Sequence, residues 1–238
     1  MSTIFRFKQF EIDQEGSAMK INTDGILLGA LVEKKDPVHI LDIGTGTGVI
    51  AMMLAQRYPK AIIDAIEIDE PSFMLSKKNF EQSIFSERVF PHHGAFQHFH
   101  PTKSYDLIIS NPPFFLQALQ NTDRRKSTAR HTTVTFYDDL IRKAIDWLTI
   151  GGTLQMVLPL GLADYILKQT KDTDLVLEKT ICLRSFVESP PFRKIISLRK
   201  RGLQDVIVPE EHYFTLYQNR GTHSTAYRTL LQPFFLNF

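Results

Sequence analysis

With 238 residues, 43% hydrophobic and 23% charged, the chain is long enough for one large α/β domain with a full core, or for one domain plus a small extension, and the single domain is the expectation. A formal net charge of +2 excludes a polycation, so any nucleic-acid site has to come from local clustering of basic residues. A single cysteine, Cys182, excludes an internal disulfide and a cysteine-based zinc site. No stretch reaches the ~18 to 20 apolar residues of a membrane span, and the first residues lack a signal core, so the expectation is a cytoplasmic monomer with no membrane and no metal partner.

In chain order, Phe5-Arg6-Phe7-Lys8-Gln9-Phe10-Glu11-Ile12 alternates apolar and polar side chains, breaks at Gly16-Ser17 and resumes at Met19-Lys20-Ile21-Asn22. That pattern predicts a short antiparallel hairpin. Thr23-Asp24 then reads as the cap of a helix over residues 25–32, with Leu27, Leu28 and Leu31 on one face. Residues 1–36 are thus expected as a hairpin and helix packed on a core formed by residues 37–238.

From residue 38 strands and helices alternate: strand 38–43, helix 48–57, strand 61–67, helix 71–85, strand 88–92 and strand 105–110. A helix at 137–148 and a strand at 153–158 follow. Such alternation predicts a mostly parallel sheet with helices on both faces and a ligand at the carboxyl ends of the strands. Three chemical signals fall at those ends. The first is Asp42-Ile43-Gly44-Thr45-Gly46-Thr47-Gly48, a tight turn between strand and helix. A dinucleotide fingerprint would place its third glycine at position 49, where Val49 stands, and the spacing matches instead a loop for S-adenosylmethionine. The second is Glu67-Ile68-Asp69, where an acidic residue can accept both ribose hydroxyls. For Asp69 a solvated charge is a plausible alternative; for Glu67, after an apolar strand, it is less so.

The third signal is Ser110-Asn111-Pro112-Pro113-Phe114. Two prolines stiffen the loop and remove backbone donors, leaving carbonyls to accept from a ligand. An exocyclic NH2 has two N–H donors and a delocalised lone pair. The Asn111 oxygen and the Pro112 carbonyl can hold both donors while Phe114 stacks on the planar substrate. By itself the tetrapeptide is equally an Asn-Pro turn; the glycine turn and Glu67 favour the catalytic reading.

The polar segment Asn121 to Thr133, with Arg124, Arg125, Lys126 and Arg130, is expected as a mobile substrate lid. Residues 175–183 and 193–201 read as antiparallel edge strands, and Arg193 and Lys194, beside Pro190-Pro191, as phosphate contacts. Arg199 to Arg201 equally fit the charges that protect an edge strand. Residues 225–232 read as a short helix of unassigned role. His92, His93, His98 and His100 lack acidic or cysteine partners at metal-site spacing, and no Gly-x-Ser-x-Gly elbow is present.

Taken together, the glycine turn, Glu67 and Asn111-Pro112-Pro113-Phe114 resemble the amino-group methyltransferases of the Rossmann-like, S-adenosylmethionine-dependent class. More specifically, Phe7-Lys8-Gln9-Phe10 and Met19-Lys20-Ile21-Asn22-Thr23-Asp24-Gly25-Ile26-Leu27-Leu28-Gly29-Ala30 resemble the bacterial tRNA1(Val) adenine-N6 methyltransferase family. The resemblance covers residues 5 to 201 and implies a seven-stranded sheet whose last strand is reversed. It implies S-adenosylmethionine as cofactor and tRNA as substrate, with the adenine beside the anticodon as target. It also places Lys20, Thr23 and Asp24 near the methionine end of the cofactor, with Asp42, Gly44, Gly46, Gly48, Glu67, Ile68, Ala95, Phe96 and Asn111 as further cofactor contacts. In this class the third strand often ends in an acid that binds the adenine amino group. Here His93-Gly94-Ala95-Phe96 stands there, so a backbone carbonyl, Gln97 or packing has to serve. The rivals are an rRNA guanine-N2 methyltransferase, a glutamine-N5 methyltransferase, which would carry a helical domain ahead of the glycine turn, and a non-catalytic RNA-binding protein.

Overall fold

The computed structural model describes residues 3–17, 19–112 and 124–237; side chains of residues 124–133 fall outside the description. An N-terminal hairpin, β1 (Ile4–Arg6) and β2 (Glu11–Asp13), leads into α1 (Thr23–Ala30). The cap of α1 is Asn22 rather than Thr23 or Asp24: its side chain accepts from the Gly25 amide at 2.9 Å. Three good capping residues stand in a row, and the one whose oxygen reaches the third amide ahead takes the role. The alternating unit follows as β3 (His39–Ile43), α2 (Val49–Arg57), β4 (Ile62–Glu67), α3 (Glu70–Glu81), β5 (Val89–His93) and β6 (Tyr105–Ser110). Asp69 is the N-cap of α3, accepting from the Ser72 amide at 3.0 Å, with Pro71 in the first turn where its missing N–H costs nothing.

After β6 the structure departs from the sequence reading. The helix expected from residue 137 already begins at residue 124, as α4 (Arg124–Trp147), so residues 124–133 are helical and not a loop. Polarity suggested a lid, yet the stretch from Phe114 to Ile150 contains neither Gly nor Pro to break a helix. β7 (Leu148–Leu158) starts earlier than the Gly151-Gly152 pair suggested, and its pairing with β6 shifts register there. A Cβ on Gly152 would stand 2.8 Å from the Thr149 carbonyl oxygen, so only glycine fits that irregularity. Then come α5 (Leu160–Gln169), β8 (Leu175–Arg184), β9 (Arg193–Lys200), β10 (Glu210–Thr215), the small hairpin β11 (Tyr217–Asn219) and β12 (Thr222–His223), and α6 (Thr225–Leu231).

The main sheet has the order β10-β8-β9-β7-β6-β3-β4-β5. β9 alone runs against its neighbours β7 and β8, as the reversed seventh strand should. An eighth strand, β10, lies parallel to β8 and covers what would otherwise be the edge. α1 and α2 pack on one face with the N-terminal hairpin and the C-terminal segment; α4 and α5 pack on the other. Because the central strands are covered on both faces, β3 and β6 are almost wholly buried.

The C-terminal segment completes the first of these layers. Leu216, Tyr227, Leu231 and Phe234 are buried beside Phe7 and Phe10, and Phe7 bridges Phe235. Burying four such side chains is worth about 6 to 12 kcal/mol, the same order as the whole stability of a domain. A chain ending at residue 201 is therefore expected to lose its cooperative thermal unfolding transition in calorimetry, and an unchanged transition would show the segment to be dispensable.

Candidate functional site at the strand ends

The ends of β3, β4 and β5 are tied through main-chain bonds. Gly44 and Thr45 donate their amides to the Ile66 carbonyl at 2.9 and 3.1 Å. The Gly46 amide donates to Glu67 Oε2 at 2.8 Å and the Asp69 amide to Glu67 Oε1 at 2.9 Å. Gly94 donates to the Glu67 carbonyl at 2.8 Å. Glu67 is only 8% exposed, so these bonds offset the cost of burying its carboxylate. Each oxygen retains acceptor capacity for a vicinal diol.

Of the three glycines in the turn, two border open space and one serves the core. Gly44 and Gly46 hold φ of 73° and 56°, and a Cβ on either would meet nothing within 4 Å. The space above them is open, a cradle into which a cofactor fits. At Gly48, with φ of 86°, a Cβ would stand 2.3 Å from Phe80 Cε1, so its lack of a side chain admits α3 against α2. Asn79, next to Phe80, donates to the Thr47 carbonyl at 2.9 Å and to the Asp13 carbonyl at 3.1 Å, which fastens the turn to the N-terminal hairpin.

Asp42 lies beneath the turn with no exposure, and its Oδ2 accepts from the Thr45 hydroxyl at 2.7 Å. Burial foremost, with the Glu67 charge added, pushes its carboxyl up to about 7 against the pull of the Thr45 hydroxyl and the Ala51 backbone. Ile68 is exposed and Ala95 half-buried. Phe96 is buried at the start of a 3-10 turn and meets Phe136 edge to face at 5.2 Å. At the end of β5 His93 stacks on Phe73 at 4.9 Å, and Gly94 stands where the resemblance leads one to expect an acid.

A second wall comes from β6 and α1. The Ser110 hydroxyl donates to the Ile43 carbonyl at 2.8 Å, which locks the end of β6 beside the glycine turn. Asn111 follows, half-buried, and Pro112 is buried. A Cβ on Gly25 would stand 3.3 Å from Asn111 Nδ2, so the first turn of α1 lies directly against the Asn111 amide. Sequence reasoning missed Gly25; a glycine in the first turn of an otherwise apolar helix was the signal for a close approach. Lys20 is exposed ahead of that turn, and Thr23, its first residue, is exposed as well. Pro113 and Phe114 lie outside the described residues.

The expected RNA contacts divide. Arg124, Arg125, Lys126 and Arg130 fall on α4, their side chains outside the description. Arg193 pairs with Asp24 at 2.9 Å and Lys194 with Asp164 at 2.9 Å. Elsewhere, the buried Asp64 is held below the usual carboxylate range: desolvation would raise it, but hydrogen bonds from His92, Lys103 and Tyr105 outweigh that. Among the described residues no group of three His, Cys, Asp or Glu could hold a metal, and no helix is long and apolar enough to cross a membrane.

A family model described as methyltransferase small domain matches residues 17–170. The chain is 43% identical over 238 residues to the tRNA1(Val) (adenine(37)-N6)-methyltransferase of Pedobacter heparinus, covering 100% of both. It is 38% identical over 237 residues to the protein of the same name from Christiangramia forsetii, covering 98% of this chain and 97% of that one. Among solved structures it resembles a predicted O-methyltransferase from Agrobacterium tumefaciens, with TM-score 0.67, 17% identity, and 89% of this chain and 96% of the other covered. It also resembles TrmN from Thermus thermophilus, with TM-score 0.56, 24% identity, and coverage of 74% and 48% respectively. At those identities the structures speak for the fold.

The buried Asp42 makes stability depend on pH. Its folded-state value of about 7 lies above that of the unfolded chain, so the folded state binds the extra proton, and stability falls as pH rises toward 7. Asp42→Asn keeps an acceptor for Thr45 and removes the charge. Its melting temperature relative to the parent is expected to rise between about pH 5 and about pH 8. Calorimetry of the cofactor-free proteins at both values reads this, and a constant difference would contradict it.

Proposed function

The chain belongs to the methyltransferase small domain family, and from that premise we propose that it methylates N6 of an adenine in tRNA, at position 37 beside the anticodon of tRNA1(Val). Support for the target comes from the names of the full-length relatives, and support for the chemistry from Asn111 at the end of β6, locked beside the glycine turn. S-adenosylmethionine, when bound, supplies a methyl group activated by a positively charged sulfur.

The chain's own residues have three tasks in this reading. Gly44 and Gly46 leave room for the cofactor over the turn, and the oriented Glu67 carboxylate accepts the ribose hydroxyls. Asn111 and the Pro112 carbonyl accept the two N–H groups of the flipped-out adenine, which turns the nitrogen lone pair out of conjugation and toward the methyl. Phe114 supports the base by stacking. The amine becomes strongly acidic only once methylated, so no general base is assigned. The tRNA backbone is assigned to Arg124, Arg125, Lys126 and Arg130, because Arg193 and Lys194 already hold carboxylates.

The test is transfer of labelled methyl from S-adenosylmethionine to total RNA from a strain lacking the gene, followed by nucleoside analysis. Label in N6-methyladenosine of a tRNA is expected; label in N2-methylguanosine or in protein would overturn the substrate. Asn111→Ala is expected to reduce turnover by roughly 100-fold while cofactor affinity survives. Undiminished turnover in that variant would remove Asn111 from the mechanism.

A further inference from the structure

We infer that Arg193, 82 positions beyond Asn111 in the chain, is a positioning residue for methyl transfer, acting through Asp24 and the first turn of α1. Its guanidinium is fixed at both ends. Nε donates to Asp24 Oδ2 at 2.9 Å, and Nη1 donates to the Phe192 carbonyl at 2.9 Å, so the arm is rigid relative to the start of β9. Both partners are largely shielded, with 27% of the Arg193 side chain and 15% of the Asp24 side chain exposed. A shielded pair with charge-assisted bonds holds its geometry far better than a surface pair.

What the pair holds is the wall of the site. Asp24 and Gly25 are neighbours in the first turn of α1, and Asn22 stiffens that turn by capping the Gly25 amide at 2.9 Å. Gly25 lies against the Asn111 amide, within 3.3 Å of Nδ2 for a Cβ placed there. In the sheet, β9 and β6 are separated by β7 alone. The first turn of α1 therefore meets Asn111 at the end of β6 and is anchored by Arg193 at the start of β9. If the anchor is cut, the backstop of the Asn111 amide is free to shift, and misplacement on the scale of 1 Å costs roughly 100-fold in rate. The same Arg193 is a poor phosphate contact, since its charge is already matched.

The inference rests on the methyl-transfer reading. It is tested by a double-mutant cycle of Arg193→Ala, Asp24→Asn and the two combined, read as kcat and KM for tRNA at saturating cofactor. Positioning predicts that each single variant loses roughly 10- to 100-fold in kcat, that the double variant is no worse than Arg193→Ala, and that KM for tRNA and its salt dependence stay put. Arg193→Lys, which keeps the charge opposite Asp24, is expected to recover most of kcat. Arg193→Gln is read in the same way should the alanine variant fail to fold. A raised KM for tRNA with kcat intact would make Arg193 a phosphate contact, and multiplying losses would make the two residues independent; either overturns the inference. A parent enzyme inactive on tRNA would remove the methyl-transfer reading itself, whereas an active parent with the wrong cycle removes only the role of Arg193.

Discussion

A buried carboxylate at the end of a strand needs donors, and the way Glu67 finds them organises this molecule. The donors are the main-chain amides of Gly46 and Asp69, from the turn after β3 and the turn after β4. Its carbonyl accepts from Gly94, at the turn after β5. One residue thereby sets the spacing of three successive strand ends. Leaving such a carboxylate without donors would cost several kcal/mol, so the turn is held in a single shape by the need to satisfy it. Oε2 bonds the amide of Gly46, beside whose α-carbon the space is open, so the group that shapes the turn also borders that space.

The opposite wall is built by close contact and anchored by the Arg193–Asp24 pair. Ser110 fastens β6 to β3, Asn111 emerges beside the glycine turn, and α1 approaches it closely because Gly25 has no side chain. The N-terminal segment, whose Lys20, Thr23 and Asp24 the resemblance placed near the cofactor, thus reaches Asn111 through Gly25. Its hairpin is fastened to α3 through Asn79 and to the C-terminal segment through Phe7 and Phe235. Both ends of the chain close over the same face of the sheet. The N-terminal hairpin, α1, α2 and the C-terminal segment form one packed layer of buried side chains on that face.

Much of this was legible locally. The strand 105–110 agrees with β6, Glu67 stands at the last position of β4, and the chain's reversed strand is β9. These carry strong period signals and sharp stops. The elements that escaped are those where local and tertiary preferences part. β10 begins with Glu210, Glu211 and His212, all exposed, so no buried face marks it as a strand. The first half of α4 is polar apart from Ala129 and Val134, and polarity was read as loop although nothing there breaks a helix. Gly48 carried the same motif signal as Gly44 and Gly46, yet its role is set by Phe80, a contact no spacing reveals. The pairing of Asp24 with Arg193 spans 169 positions. Both residues were singled out, one for cofactor and one for RNA, and only the fold shows them neutralising each other.

The most direct test of this architecture is the affinity for S-adenosylmethionine of Glu67→Gln, measured by titration calorimetry against the parent. A glutamine can accept from only one of the two amides and turns a donor toward the other. The account predicts at least a roughly tenfold loss of affinity, about 1.4 kcal/mol, in a protein that still unfolds cooperatively. Unchanged affinity in Glu67→Gln would contradict the claim that this carboxylate both shapes the turn and holds the cofactor.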